Sequence, residues 1–198
     1  MTVSERPRGP RIEPPRPAGY QLLRQERIPM TRVSWASIVS APFWLAVFVG
    51  VAAALGEPAP RSITFTVVNI LIGAAILLLV GPVVHEAVHG VVAWALGAHP
   101  TYGIGPGYAY TTFREPVGGR QYLVIGLAPL VVLSLACLVL MVTTPLYGFA
   151  LIFAVTNASG AAGDIWVARR TRGLPAEARV YDLADGFAVF VPEQAALP

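Results

Sequence analysis

From Val33 to Leu55 the chain runs for 23 residues without a charged side chain. As a helix, that length crosses the ~30 Å hydrocarbon core of a bilayer. Three further stretches have the same character: Ile63 to Gly97, Gln121 to Val142 and Leu146 to Ala168. Four such stretches in 198 residues leave little polar sequence to cover them in water. In lipid each satisfies its own backbone by coiling into a helix. The bulk values agree, with 55% hydrophobic and 13% charged residues and a mean hydropathy of +0.62. The sequence therefore predicts an all-α integral membrane fold of four transmembrane helices, with a short cytoplasmic β-prone loop and tail.

Apart from Glu86 and Asp164, the charges lie between and beyond these stretches. All fourteen basic residues are Arg, and seven of them (Arg6, Arg8, Arg11, Arg16, Arg24, Arg27 and Arg32) fall in residues 1–32 together with six Pro. Pro and charge together disfavour a packed core, so residues 1–32 are expected to be a disordered tail, with Gln21 to Arg27 able to form an interfacial helix. The segment is too long and too rich in Arg and Pro for the basic start of a signal peptide. Basic residues flanking membrane anchors do not call for nucleic acid, and no nucleic-acid partner is expected. Residues 33–169 are read as the membrane domain and residues 170–198 as a C-terminal tail with a short strand in VYDLADGFAVFVP. Four spans with the N-terminus inside leave thirteen Arg on the cytoplasmic side and only Arg61 outside. The expected placement is the inner (plasma) membrane, multi-pass, with both termini cytoplasmic. The lone Cys137 lies in an apolar run and can form no intramolecular disulfide.

Breakers mark the joints. Pro42 lies in the first stretch and Pro129 in the third. Gly81-Pro82 is expected to bend the overlong second stretch, and Gly97-Ala98-His99-Pro100 to end it. In the loop that follows, Tyr108 to Arg114 is β-prone and suited to an edge strand or a hairpin arm.

The second stretch carries the chemistry. Within VVHEAVHG, His85 and His89 are four residues apart and project from one helix face. Two imidazoles at that spacing can share one zinc ion, with Glu86 free to act as general base on a bound water. A third ligand must come from elsewhere. His99 and Glu115 in the loop are candidates, and Asp164 is the better one. Apart from Glu86 it is the only carboxylate in an apolar stretch, where charges are costly unless paired or functional. The topology puts it at the same membrane face as the His pair. It also recurs at helical spacing with Asn157 and Gly160 on a small, polar face. Asn157, Tyr108 and Tyr110 are candidate substrate contacts; an interhelical hydrogen bond for Asn157 and an interfacial aromatic belt for the tyrosines are the plainer readings. Asp182 and Asp185 read as turn residues.

The set VHEAVHG, LAP at Leu127 to Pro129, NASGAAGDI at Asn157 to Ile165, and YDLADG at Tyr181 to Gly186 resembles the small bacterial membrane family of zincin peptidases, akin to the site-2 proteases. The resemblance covers Ile63 to Val191. It implies His85, His89 and Asp164 as metal ligands, Glu86 as catalytic base and Zn2+ as cofactor. Two details depart from the site-2 proteases: Asn157 has no Pro three residues on, and Gly precedes Asp164 rather than following it. The function expected is a zinc-dependent membrane metallopeptidase acting on a peptide or membrane-protein substrate in or near the bilayer. The alternative is a non-catalytic membrane protein whose metal or polar cluster ties two spans together, an assembly or regulatory partner. A fourth protein ligand closing the site (His99, Asp182 or Glu115) would mark that alternative.

Overall fold

A computed structural model describes residues 16–56, 73, 75–105, 108–113 and 115–193. The first fifteen residues of the Arg/Pro-rich tail, the loop after Gly56 with Arg61, the beginning of the second stretch as far as residue 72, and Arg114 lie outside the described residues.

The all-α expectation with four spanning helices is overturned. Among the described residues, five α-helices are joined by two antiparallel sheets. Among the same described residues, three helices are long and apolar enough to cross a membrane: Met30–Ala54, Leu77–Ala95 and Gly119–Thr143. The fourth stretch is broken into Tyr147–Gly160 and Ala162–Thr171, which meet at 41°. The cause is local. Asn157 to Gly163 reads NASGAAG, whose glycines and small polar residues favour the helix weakly and offer no bulk to hold it straight.

In chain order, β1 (Tyr20–Arg27) is followed by α1 (Met30–Ala54), which runs continuously through Pro42. A π-helical turn at Ile76–Val80 leads into α2 (Gly81–Ala95). Pro82 occupies the first turn of α2, where no backbone N–H is needed from it, so the helix restarts here rather than breaking. Gly97 ends α2 with φ +84°, donating to the Trp94 carbonyl while Ala98 N–H reaches that of Ala93 (2.9 Å). This closes the helix as the Gly-Ala-His-Pro run predicts.

A hairpin of β2 (Pro100–Gly105) and β3 (Tyr108–Phe113) follows, forming a two-stranded sheet of its own. Then come β4 (Val117–Gly118), α3 (Gly119–Thr143), α4 (Tyr147–Gly160), α5 (Ala162–Thr171), β5 (Arg179–Leu183) and β6 (Gly186–Pro192).

The second sheet has the order β1-β6-β5-β4. Its centre is the hairpin of β5 and β6, closed by Ala184-Asp185 with Leu183 opposite Gly186. GFAVFVP in β6 is buried on both faces, as a central strand must be. β1 pairs along its length with β6, from Tyr20 opposite Pro192 to Arg27 opposite Gly186. A strand therefore stands where the sequence predicts an interfacial helix. Gly186 permits this contact, since a Cβ there would sit 2.1 Å from the Glu26 carbonyl oxygen.

The described interior has three parts, the smallest of them Tyr181, Ala188 and Phe190 on the larger sheet. Between α1, α3 and α4 lie Phe48, Ala52, Cys137, Met141 and Tyr147. Ala150, Ala154 and Ala158, four residues apart on α4, let the neighbouring helices approach closely. At the sheet end, Tyr122, Ile125 and Val167 pack on Val180, Phe187 and Val189. The outside of the helices is apolar too: Val39 is 73% and Leu78 75% exposed. Such a belt is stable against lipid and not against water.

Candidate metal centre

The site lies where α2, α3, α4, α5 and β3 converge, beside a cavity of about 450 Å³ lined by His85, Glu86, His89, Asn157 and Asp164. Two helices facing each other bring these residues together. α2 supplies His85 and His89 one turn apart, with ring centroids 5.0 Å apart. The break at Ala161 turns the chain so that Asn157, in the last turn of α4, and Asp164, in the first turn of α5, both face α2.

Each imidazole has one nitrogen committed and one turned to Asp164. His89 Nδ1 lies 2.8 Å from the Ile125 carbonyl oxygen, which can only accept, so Nδ1 carries the proton. The Asn157 amide donates through Nδ2 to the Pro129 carbonyl (3.2 Å), so its Oδ1 accepts from His85 Nδ1–H at 2.9 Å. When the two imidazoles are neutral, both Nε2 lone pairs are thereby left to bind an ion. His85 Nε2 is 3.1 Å from Asp164 Oδ2, and His89 Nε2 is 3.6 Å from Asp164 Oδ1. Two ligands each ~2.0–2.2 Å from one tetrahedral zinc stand about 3.4 Å apart, so the two spacings bracket that value. The three donor atoms lie within 4.8 Å of one another. Two neutral imidazoles, each held by a second partner, and one carboxylate suit a divalent transition metal.

Pro129 stands behind both imidazoles, and the sequence reading missed it. Lacking an N–H, it cannot bond the carbonyl four residues earlier, which is Ile125. That carbonyl is the one His89 uses, and the Pro129 carbonyl orients Asn157. A proline in mid-span was the available signal; which donor takes the freed carbonyl is set by tertiary packing. Pro129→Ala restores a competing N–H to α3. We expect metal affinity to fall roughly 10- to 100-fold, as when an outer-shell partner is lost, while thermal stability holds or rises because an interior proline is gone. Metal titration beside a thermal melt checks both; unchanged affinity would remove Pro129 from this role.

Glu86 lies on the same turn as His85 and lines the cavity. Its backbone carbonyl accepts from the Thr111 hydroxyl (3.0 Å), which pins β3 to α2 beside the site. Tyr108 and Tyr110 are on β3 and line the same cavity, with rings 6.0 Å apart. Their rings lie over Gly105 and Gly103 of β2, where any Cβ would collide with them. The loop candidates are elsewhere. His99 Nδ1 is 2.9 Å from Glu115 Oε1, and the His99 backbone N–H also bonds Glu115, holding that exposed carboxyl below its usual range.

Asp182 reaches the cavity from β5, and Tyr122 donates its hydroxyl to it. Burial pushes the Asp182 carboxyl up from 3.8 to about 7, against the opposing hydrogen bond from Tyr122. A carboxyl whose folded value is raised binds its proton more tightly when folded. Stability contributed by the protonated form is therefore fully present near pH 4, is lost as pH rises towards 7, and changes no further above that. Asp182→Asn keeps an acceptor for Tyr122 without the charge. It should be more stable than the parent at pH 8 by at most a few kcal/mol, at ~1.4 kcal/mol per unit, with the gap closing towards pH 4. Parallel pH–melting curves test this; a gap that does not vary with pH would refute it.

A sequence profile of the family described as "Putative zincin peptidase" matches residues 78–179. The match begins just before α2 and takes in His85, Glu86, His89, Asn157 and Asp164. No curated protein matches the chain, and no solved structure does.

Proposed function

We propose, from the premise that the chain belongs to the Putative zincin peptidase family, that it is a zinc-dependent metallopeptidase working at a membrane, similar to the site-2 proteases. One observation carries this reading: two imidazole Nε2 atoms and the Asp164 carboxylate converge beside Glu86, at separations that suit a single zinc.

His85, His89 and Asp164 would hold the ion. When bound, it would supply Lewis acidity towards the scissile carbonyl and would acidify a water. Glu86 takes a proton from the attacking water as the new carbon–oxygen bond forms. It returns the proton to the amide nitrogen as the carbon–nitrogen bond breaks, so that a carboxylate and an amine leave. Asn157 and Ile125 fix the imidazoles through their Nδ1–H groups. β3 has only β2 as a sheet partner among the described residues. Its segment Tyr108–Phe113 lines the cavity, so an extended peptide could add along it beside the ion. The cavity is bounded by helices in an apolar belt, which suits a membrane-protein or membrane-delivered peptide substrate.

The three long apolar helices among the described residues and their exposed apolar surface support the membrane placement. The nine arginines among the described residues are at or beyond the helix ends nearest the larger sheet, so the positive-inside rule puts that sheet in the cytoplasm of a cell whose inner membrane holds the helices. β1 and β6 pair, so both ends of the described chain lie on that side. The non-catalytic alternative requires a closing ligand, yet His99 and Glu115 bond each other and Asp182 bonds Tyr122.

The test uses detergent-purified full-length protein, with zinc measured per chain and cleavage followed on a library of membrane-segment peptides. One zinc per chain, with cleavage that stops on chelation and returns with zinc, is the expected result. One zinc that chelation cannot remove without unfolding the protein, and no cleavage, would favour the structural role instead.

A further inference from the structure

On the other side of Val33 from the metal centre, α1 and the broken helix pair α4–α5 enclose a second hollow of about 370 Å³. It shares only Val33 with the first. Its floor is made of small side chains, Ala36, Ala158 and Ala162, and the 41° break beside Ala162 opens it. Its walls are aromatic and aliphatic, with Phe43 and Trp44 towards the far end and Ile165 and Trp166 nearer the sheet. Phe43 is 62% exposed, so the hollow is open to the surroundings of the helices.

The two ends differ in kind. The sheet end carries Arg32 and Arg169, both exposed. Other arginines on this side are engaged: Arg24 and Arg170 with Glu26, and Arg27 with Asp185. Arg170 also lies over the Trp166 ring, 5.5 Å from its centroid, and so braces one wall. Arg32 and Arg169 have no acidic partner among the described residues. From Arg32 to Phe43 is eleven residues, about 16 Å along α1. That is close to half of a ~30 Å hydrocarbon core, the depth of one leaflet.

We propose that this groove is a binding site for one anionic phospholipid of the cytoplasmic leaflet. The phosphate and its acidic headgroup sit between the Arg32 and Arg169 guanidiniums, and an acyl chain lies over the alanine floor between Trp166 and Phe43. Basic pockets between membrane helices at the cytoplasmic face are suited to such headgroups. Guanidinium offers the phosphate paired donors that a chain-facing apolar wall cannot. The site rests on the membrane placement proposed above and does not depend on the peptidase chemistry. It would tie α1 to α5, the helix that presents Asp164.

The test is lipid retention by the delipidated, detergent-solubilised full chain, read by native mass spectrometry. The probes are phosphatidylglycerol, phosphatidylcholine with the same chains, and glycerol phosphate, which has the anionic headgroup without chains. The expected result is one tightly retained phosphatidylglycerol, weaker phosphatidylcholine and no retained glycerol phosphate. Arg32→Gln with Arg169→Gln should weaken phosphatidylglycerol roughly 10- to 30-fold, the loss of two cationic contacts near an anionic surface. Ala36→Phe, which fills the floor and keeps both charges, should weaken it too. Arg172→Gln with Arg179→Gln removes equal charge outside the groove and should change little. Zinc content and the thermal melt of each variant establish that it is folded.

Equal retention of the two lipids by the parent, or equal loss in the Arg172/Arg179 control, overturns the assignment. Retained glycerol phosphate would reduce the site to a phosphate site and overturn the lipid. A chain that stays in solution without detergent would defeat the membrane placement itself, whereas one that needs detergent but shows no lipid preference defeats only the groove.

Discussion

Glu86→Gln should keep its zinc and lose its cleavage. The amide is isosteric with the carboxylate, so His85 and His89 on the same helix keep their positions, and the Thr111 bond to the Glu86 backbone carbonyl does not involve the side chain. What disappears is the proton acceptor. General acid–base groups contribute roughly 10²–10⁴ in rate, and cleavage should fall by that factor while zinc per chain stays at the parent value. Cleavage at the parent rate would sink the assignment of Glu86. Loss of zinc as well would mean that this side chain belongs to the ligand set.

Asp164→Ala should have the opposite signature, losing the metal first. Among the described residues Asp164 is the one carboxylate facing both Nε2 atoms, at 3.1 and 3.6 Å. Without it two neutral imidazoles remain, a poor set for a structural or catalytic zinc, which takes at least three protein ligands. Zinc should drop from one per chain to a small fraction after dialysis, and His85→Ala should behave alike. Asp164→Asn separates charge from shape. It preserves the hydrogen-bonding outline but gives a neutral, weaker ligand, so zinc affinity should lie between the parent and Asp164→Ala. Full zinc retention in Asp164→Ala would move the third ligand elsewhere in the chain.

The meeting of His85, His89 and Asp164 was legible because its signals are short-range or exceptional. His85 and His89 are related by one helical turn, and Asp164 is a carboxylate where the surrounding composition makes a charge expensive. The β3 segment was also legible, from its run of aromatic and β-branched residues. What could not be read was anything that depends on a distant partner. YQLLRQER has no clean alternation, and it is a strand because GFAVFVP, some 160 residues later, offers it an edge. The break at Ala161 lies in a stretch whose hydropathy is continuous with a span, so hydropathy alone ran through it. The second role of Pro129 shows the same division. The sequence states that the Ile125 carbonyl is free, and only the packing of α2 on α3 states that His89 takes it.

The pairing of β1 with β6 has a consequence for how the protein is made. β1 is made before the five helices and its partner β6 after them. α1, a candidate membrane span, is therefore made while the strand before it still waits, its backbone donors and acceptors bonded only to water. Ile28 and Asp185, which border the metal-site cavity, are joined by a backbone hydrogen bond of 2.9 Å that can form only when the β5–β6 hairpin arrives. Long-range closures of this kind are slow. The wall of the cavity is then closed only after all five helices have been made, and until the β5–β6 hairpin arrives a nascent chain carries an incomplete cleft.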